Sequence, residues 1–114
     1  MKVAIVGTRT YPDLEQVREY VRKLSPEDII VSGGAKGVDE TAEDEARKLG
    51  MEVISVPPEW DKYGRRAGLV RNDMIVAIAD CVVAFWDGVS RGTKYTIDKA
   101  KEKNVITQVF NVVN

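Results

Sequence analysis

Residues 29–39 read Ile-Ile-Val-Ser-Gly-Gly-Ala-Lys-Gly-Val-Asp and join an apolar, β-branched run to a helical pattern. The run is typical of a strand that is buried on both faces of a parallel sheet. The three glycines allow a sharp turn, positive φ and a close approach of backbone N–H groups to a ligand. Because the following helix adds its own free N–H groups and the positive end of its dipole, the stretch predicts a site for phosphate or another anion.

A second loop of the same kind, Asp87-Gly88-Val89-Ser90-Arg91-Gly92-Thr93, follows a later apolar run. It places two hydroxyl groups beside two glycines, and Thr93 is predicted to cap the helix that follows. Residues 33–37 are called the first glycine loop below, and residues 87–93 the second glycine loop. Two such loops in one small α/β chain predict a nucleotide-like ligand.

Strand and helix patterns alternate along the whole chain. The predicted strands are residues 2–6, 28–32, 52–56, 81–85 and 104–110, and the predicted helices begin near Asp13, Val38, Gly68 and Thr93. This order predicts an α/β, Rossmann-like fold, an open, mostly parallel five-stranded sheet with helices on both faces, formed by residues 1–114 as one domain. We expect the glycine loops, Gly7-Thr8-Arg9 and the long connection 57–67 to meet at the carboxyl edge of that sheet.

The helical patterns also predict which side chains are buried. The charged residues of the second helix, including Glu43 and Glu45, are expected on a solvated outer face. The expected inward-facing residues of the second and third helices are Val38, Ala42, Ala46, Leu49, Met74, Ile75 and Ile78.

Composition excludes several classes of function. The chain has no histidine, which removes His-based general bases, Ser–His triads and His metal sites. A formal net charge of −1 and a pI near 5.5 give no overall attraction to nucleic acid or membranes. The single cysteine, the lack of a signal-peptide pattern and the lack of a bilayer-spanning apolar stretch predict a cytoplasmic protein without a membrane partner.

The motifs, taken in order along the chain, resemble the SLOG superfamily and, within it, the small YspA-like group. The residues that carry the resemblance are Gly7-Thr8-Arg9, residues 32–39, Arg71-Asn72, the second glycine loop and Thr96-Ile97. They extend from the first strand to the fourth helix. The resemblance implies a Rossmann-like fold that binds nucleotides or nucleotide-derived molecules.

Lonely Guy phosphoribohydrolases of the same superfamily cleave the N-glycosidic bond of nucleoside monophosphates, using an arginine on the third helix and a glutamate after a Pro-Gly-Gly-x-Gly-Thr loop. Arg71 matches that arginine, and Gly92-Thr93 match the end of the loop. Lys94-Tyr95-Thr96 stand where the acidic residues would be, which leaves Asp39 or Asp87 as the carboxylate that such a reaction needs. A nucleotide N-glycoside hydrolase, with Arg71 and Asp39 as candidate catalytic residues, is the alternative function.

DNA-processing protein A, another member, resembles this chain in the Gly-x-x-Gly-Val-Asp pattern of residues 34–39 and in the Arg71-Asn72 pair. Just upstream of that pair, Trp60, Tyr63 and Arg65-Arg66 offer stacking rings and positive charge. Such a combination suits single-stranded nucleic acid. Nucleic-acid binding is therefore a further alternative, which the acidic pI disfavours.

The primary hypothesis is a sensor or binding module for a nucleotide or nucleotide-derived small molecule. Arg9 and Arg71 are expected to neutralise phosphate, and Asp39 to contact the sugar. No metal and no cofactor other than the nucleotide is predicted. Self-association stays open, with the third helix and residues 57–67 as candidate surfaces. The predicted ligand-binding residues are Gly7, Thr8, Arg9, Ser32, Gly33, Gly34, Ala35, Lys36, Gly37, Asp39, Arg71, Asn72, Asp87, Gly88, Ser90, Gly92 and Thr93.

Overall fold

The computed structural model describes residues 1–112, and these form a single five-stranded sheet with helices on both faces. A 3-10 turn, Gly64–Arg66, connects two of the helices. The strands are β1 (Lys2–Gly7), β2 (Ile29–Ser32), β3 (Val53–Ser55), β4 (Cys81–Trp86) and β5 (Ile106–Asn111). The helices are α1 (Leu14–Arg22), α2 (Val38–Lys48), α3 (Trp60–Tyr63), α4 (Ala67–Ile78) and α5 (Arg91–Glu102).

The strand order is β3-β2-β1-β4-β5, and each neighbouring pair is parallel. The predicted α/β, Rossmann-like fold is confirmed, and the sheet is wholly rather than mostly parallel. The chain moves from β1 outward to β3 and then returns to place β4 on the other side of β1. The order therefore reverses between β1 and β4, and ligands of such sheets bind beyond the carboxyl ends of the strands at that point.

Two apolar clusters hold the layers together, one on each face of the sheet. Val3 and Ile5 of β1 pack with α1 and α2, whereas Ala4 and Val6 pack with α4 and α5. Successive residues of a strand point to opposite faces, so this alternation buries β1 on both sides. The central strand is therefore packed on both faces, and it ends at Gly7, where the cavity described below begins.

Residues 57–67 and the start of α5 differ from the sequence prediction. The long connection contains α3 and the 3-10 turn. The prediction that Thr93 caps the last helix is wrong, because α5 begins at Arg91 with Ser90 at the N-cap position. The carboxylate of Asp87 accepts hydrogen bonds from the N–H groups of Val89 and Ser90, which turns the chain into the helix earlier.

Four side chains lie on the opposite side from the one expected. Glu43 and Glu45 are buried, whereas Leu49 and Met74 are exposed. The charged face of α2 is narrower than its sequence indicates because α1 covers one flank, where the Nε atom of Arg22 donates to Glu45 at 2.8 Å.

Within residues 1–112, the helices all fall short of the length and apolarity that crossing a membrane requires.

Candidate functional site

A cavity of about 350 Å³ opens at the carboxyl edge of the sheet, where the strand order reverses. It lies between the turn after β1, the start of α2, the inner side of α4 and the start of α5. Its volume is near the lower end of the roughly 300–1,000 Å³ that is usual for small-molecule sites. The lining residues are Val6, Gly7, Thr8, Arg9, Thr10, Ala35, Asp39, Arg71, Asn72, Ser90, Gly92, Thr93 and Thr96.

The turn after β1 forms one wall. At Gly7 a Cβ atom would lie 2.6 Å from Cγ2 of Val38 and 2.7 Å from the carbonyl oxygen of Phe85, so only glycine lets β1 approach α2 and β4 this closely. The hydroxyl oxygen of Thr8 accepts the N–H of Asp87 at 3.2 Å. This bond ties the turn after β1 to the second glycine loop.

The second glycine loop places the N-terminus of α5 in the cavity wall opposite the turn after β1. Asp87 holds the loop through its two bonds of 2.8 Å from backbone N–H groups, and these bonds keep the pKa of its carboxyl group below the ordinary value. The hydroxyl oxygens of Ser90 and Thr93 lie 3.2 Å apart at the cavity. A Cβ atom at Gly92 would meet nothing within 4 Å, so this residue leaves the first turn of α5 open.

The first glycine loop uses part of its hydrogen-bonding capacity internally. The N–H of Gly33 donates to the carboxylate of Asp39, and the N–H of Gly34 donates to the hydroxyl of Ser32, each at 3.2 Å. Gly37 has φ of +84°, and a Cβ atom there would collide with the carbonyl group of Arg9. The loop therefore packs tightly against the turn after β1 and reaches the cavity through Ala35, and Asp39 reaches it from the first turn of α2.

Glu43 lies beneath this loop and was not among the predicted site residues. Its Oε2 atom accepts the hydroxyl proton of Ser32 at 3.0 Å, while Oε1 accepts from Arg47 at 3.1 Å. The same Ser32 oxygen receives the N–H of Gly34. Glu43 thus orients the hydroxyl that shapes the loop, and its position one turn after Asp39 on α2 is the signal in the sequence.

Arg71 connects α4 to the first glycine loop across the cavity. Its Nη1 atom donates to the carbonyl oxygen of Gly33 and its Nε atom to the side-chain oxygen of Asn72, both at 2.8 Å. A Cβ atom at Gly33 would collide with this guanidinium group. Burial lowers the pKa of Arg71, yet a guanidinium remains charged at neutral pH, so the cavity has a fixed cation.

Asp39 is the buried carboxyl group of the cavity. Burial raises its pKa from 3.8 to about 7, although Arg71 and the N–H groups of Ala35 and Gly33 favour the ionised form. Glu43 adds a further negative charge nearby, which also raises the pKa. Asp39 therefore changes its charge near neutral pH, in the same cavity as the arginine.

The structure brings ten of the predicted ligand-binding residues to the cavity and leaves seven outside its lining. Val6, Thr10 and Thr96 also line it, although they were not predicted. The ten are Gly7, Thr8, Arg9, Ala35, Asp39, Arg71, Asn72, Ser90, Gly92 and Thr93. The seven are Ser32, Gly33, Gly34, Lys36, Gly37, Asp87 and Gly88.

A basic, aromatic surface lies on α3 and the 3-10 turn, outside the cavity lining. Trp60 is 54% exposed, and Arg65 and Arg66 are also exposed. Trp86, by contrast, packs against the core, and its indole N–H donates to the carbonyl oxygen of Ser90 at 3.0 Å. Of the two tryptophans, Trp60 is the one with a ring free to stack on a base.

The described residues offer no group of three or more Asp, Glu or Cys side chains that could hold a metal ion. The groups available to bind a ligand are instead the first turn of α5, the hydroxyls of Ser90 and Thr93, the Arg71 guanidinium and the Asp39 carboxyl group. Together they suit an anionic ligand with further polar groups.

Comparison with known proteins agrees with this fold. The chain is 32% identical over 114 residues to the Gene 61 protein of Mycobacterium phage D29, with 91% of each chain covered. DNA processing protein A (DprA) from Streptococcus pneumoniae matches with a TM-score of 0.81 and 25% identity, over 99% of this chain and 50% of that one. DprA from Helicobacter pylori, described with a single-stranded DNA binding mode, matches with a TM-score of 0.68 and 24% identity, over 96% of this chain.

This chain spans half the length of the Streptococcus protein and 64% of the Helicobacter protein. The model of the YspA, cpYpsA-related SLOG family matches residues 1–63, which run from β1 through α3 and include the first glycine loop. This match agrees with the resemblance seen in the sequence. The chain belongs to the YspA, cpYpsA-related SLOG family.

Proposed function

We propose that the cavity binds a nucleotide or nucleotide-derived ligand and that the ligand's phosphate sits at the N-terminus of α5. The observation that carries the proposal is the open first turn of α5, with Gly92, Ser90 and Thr93, facing the same cavity as Arg71. The first N–H groups of a helix lack partners inside the helix, and together with the helix dipole they attract phosphate.

The rest of the cavity fits the other parts of such a ligand. Arg71 and Arg9 supply positive charge beside the phosphate position. Asp39, on the α2 side, can accept hydrogen bonds from sugar hydroxyls when it is ionised and donate one when it is protonated. A volume of about 350 Å³ suits a single nucleotide unit.

A thermal-shift panel tests the proposal. The panel contains AMP, ADP, ATP, NAD, ADP-ribose and cyclic nucleotides at millimolar concentration, with the native chain and two variants. Gly92→Val fills the open turn of α5, whereas Lys101→Val places the same side chain on an exposed position of the same helix. We expect one nucleotide class to raise the Tm of the native chain and of Lys101→Val but not of Gly92→Val. The absence of any shift in the native chain would refute the proposal.

Single-stranded nucleic acid is a second candidate ligand, supported by the exposed Trp60, Arg65 and Arg66 and by the fold match to DprA. In this function the bases stack on Trp60 and the arginines contact the backbone phosphates. Binding of a short oligonucleotide should weaken steeply with salt and fall in Trp60→Ala and Arg65→Ala. Lys23→Ala, which removes an exposed cation after α1, is the control. Salt-insensitive or absent binding would exclude this function.

Hydrolysis of the N-glycosidic bond is a third candidate, supported by Asp39 and Arg71 in one cavity. A carboxyl group with a pKa of about 7 is suited to acid–base catalysis at neutral pH. Release of free base from nucleoside monophosphates that disappears in Asp39→Asn and Arg71→Ala would support it. No release at high protein concentration would exclude it.

A further inference from the structure

Helix α4 carries large apolar side chains on its outward side as well as on the side that packs against the sheet. Its inward side buries Ala67, Ile75 and Val76. Its outward side leaves Leu69 44% exposed and Met74 42% exposed. The outward face of a surface helix is normally polar or charged. Leu69 and Met74 are therefore unusual as large apolar side chains that no other part of residues 1–112 covers.

The outward residues form one continuous stripe. Arg66, at the N-cap of α4, is followed by Val70, Asp73 and Ala77 at spacings of four, three and four residues, which places them on one face. Leu69 and Met74 flank this stripe. The six residues, called the α4 outer face below, are Arg66, Leu69, Val70, Asp73, Met74 and Ala77.

The charges on the α4 outer face are complementary to each other when the helix is paired with an antiparallel copy. Arg66 and Asp73 are seven residues apart, which is about 10.5 Å along a helix. A twofold axis that passes between Leu69 and Val70 places Arg66 of each copy opposite Asp73 of the other. The apolar side chains of the stripe then meet at the centre.

Both charged groups are positioned for such contacts. The Oδ1 atom of Asp73 accepts the hydroxyl of Tyr95 at 2.8 Å and lies 3.9 Å from the ammonium group of Lys99, while the side chain is still 45% exposed to a cation of the second copy. Arg66 is exposed and makes no ion pair within residues 1–112. A second copy would therefore give Arg66 its carboxylate partner.

A groove of about 450 Å³ continues the face toward α5. Asp73 and Ala77 belong to both the α4 outer face and the groove, and Val76 and Val105 give the groove an apolar floor. In an antiparallel pair, the segment that precedes α4 in the second copy passes beside the C-terminal half of α4, where this groove lies. That segment carries the exposed Trp60 and Tyr63.

We propose that the α4 outer face is a self-association surface, on which a second copy of this chain packs antiparallel to form a twofold dimer. The inward side of α4 still presents Arg71 and Asn72 to the cavity, so the dimer leaves the cavity open. The inference is independent of the proposed function, because its test measures mass rather than ligand binding.

Sedimentation analysis over a range of protein concentrations tests the dimer with charge-reversed variants. Arg66→Asp places two carboxylates opposite each other at both ends of the interface, and Asp73→Arg places two cations there. Each variant alone should dimerise at least about tenfold more weakly than the native chain. An equimolar mixture of the two variants should recover the dimer, because both charge pairs are then opposite in sign.

Leu69→Glu gives a second test at the centre of the α4 outer face. The matched control is Lys101→Glu, which introduces the same side chain at an exposed position of α5. Leu69→Glu should abolish the dimer without changing the circular dichroism spectrum, whereas the control should dimerise normally. A native chain that stays monomeric at high concentration would overturn the proposal, as would a mixture that does not recover. If Leu69→Glu instead leaves the mass unchanged and weakens oligonucleotide binding, the face belongs to a nucleic acid and the dimer is wrong.

Discussion

At the scale of single residues, Asp39 and Arg71 give the cavity a fixed positive charge and a negative charge that depends on pH. The guanidinium is held by the carbonyl oxygen of Gly33, and the carboxylate accepts the N–H of the same residue. Ionised Asp39 would repel a phosphate, whereas protonated Asp39 would not. Under the proposed function, a phosphate ligand should therefore bind more tightly at a pH at which Asp39 is protonated.

The raised pKa of Asp39 has a consequence for stability. Between the ordinary value of 3.8 and the folded value of about 7, the folded chain holds a proton that the unfolded chain has lost. Stability therefore falls as the pH rises through this interval, by roughly 4 kcal/mol at most. We expect Asp39→Asn to be more stable than the native chain at pH 8 and of similar stability near pH 4. Urea unfolding across this pH range is the measurement, and equal stabilities at pH 8 would contradict it.

Gly37 in the first glycine loop and the exposed Gly50 after α2 differ in what a larger side chain would meet. Gly37 and Gly50 both have positive φ, but only at Gly37 would a Cβ atom collide with backbone, that of Arg9. Gly50→Ala should cost about 1–2 kcal/mol of unfolding free energy through backbone strain alone. Gly37→Ala should cost more, because the loop must also move. Chemical denaturation of the two variants compares them directly, and equal losses would show that the close approach to Arg9 has no energetic importance.

At the scale of secondary-structure elements, the sequence predicted the strands and both glycine loops because β-branched runs and glycine clusters are local signals. The start of α5 escaped prediction because the side chain of Asp87 decides it. The burial of Glu43 and Glu45 escaped prediction because it depends on contacts with Ser32 and Arg22, which lie far away in the sequence. The burial of these two side chains is therefore decided by how α2 packs against its neighbours and not by the period of the helix.

The Asp87 carboxylate should stabilise the start of α5 only while it is ionised. Its pKa is lowered mainly by the N–H groups of Ser90 and Val89, so its contribution is present above the ordinary value of 3.8 and is lost as the pH falls below it. We expect Asp87→Asn to unfold at lower urea concentration than the native chain at pH 7. The difference should disappear near pH 2, and a difference that persists there would refute the electrostatic explanation.

At the scale of the whole molecule, the topology collects the site from both halves of the chain. Residues 1–63, which match the family model, supply the turn after β1 and the first glycine loop. The remaining residues supply Arg71 and the second glycine loop. The sequence could place these segments at one edge because parallel strands end together. It could not show which of them face one cavity, since this depends on how tightly the turn after β1 packs against α2.

Calorimetric titration with a nucleotide and with its phosphate-free nucleoside tests whether phosphate binds at the N-terminus of α5. The nucleotide is the one that raises the Tm most in the thermal-shift panel. We predict that the native chain and Lys101→Val bind the nucleotide at least about tenfold more tightly than the nucleoside, as expected for a phosphate that makes charge-assisted hydrogen bonds. In Gly92→Val this preference should disappear. Equal affinity for nucleotide and nucleoside in the native chain, or an unchanged preference in Gly92→Val, would show that phosphate does not bind at this helix terminus.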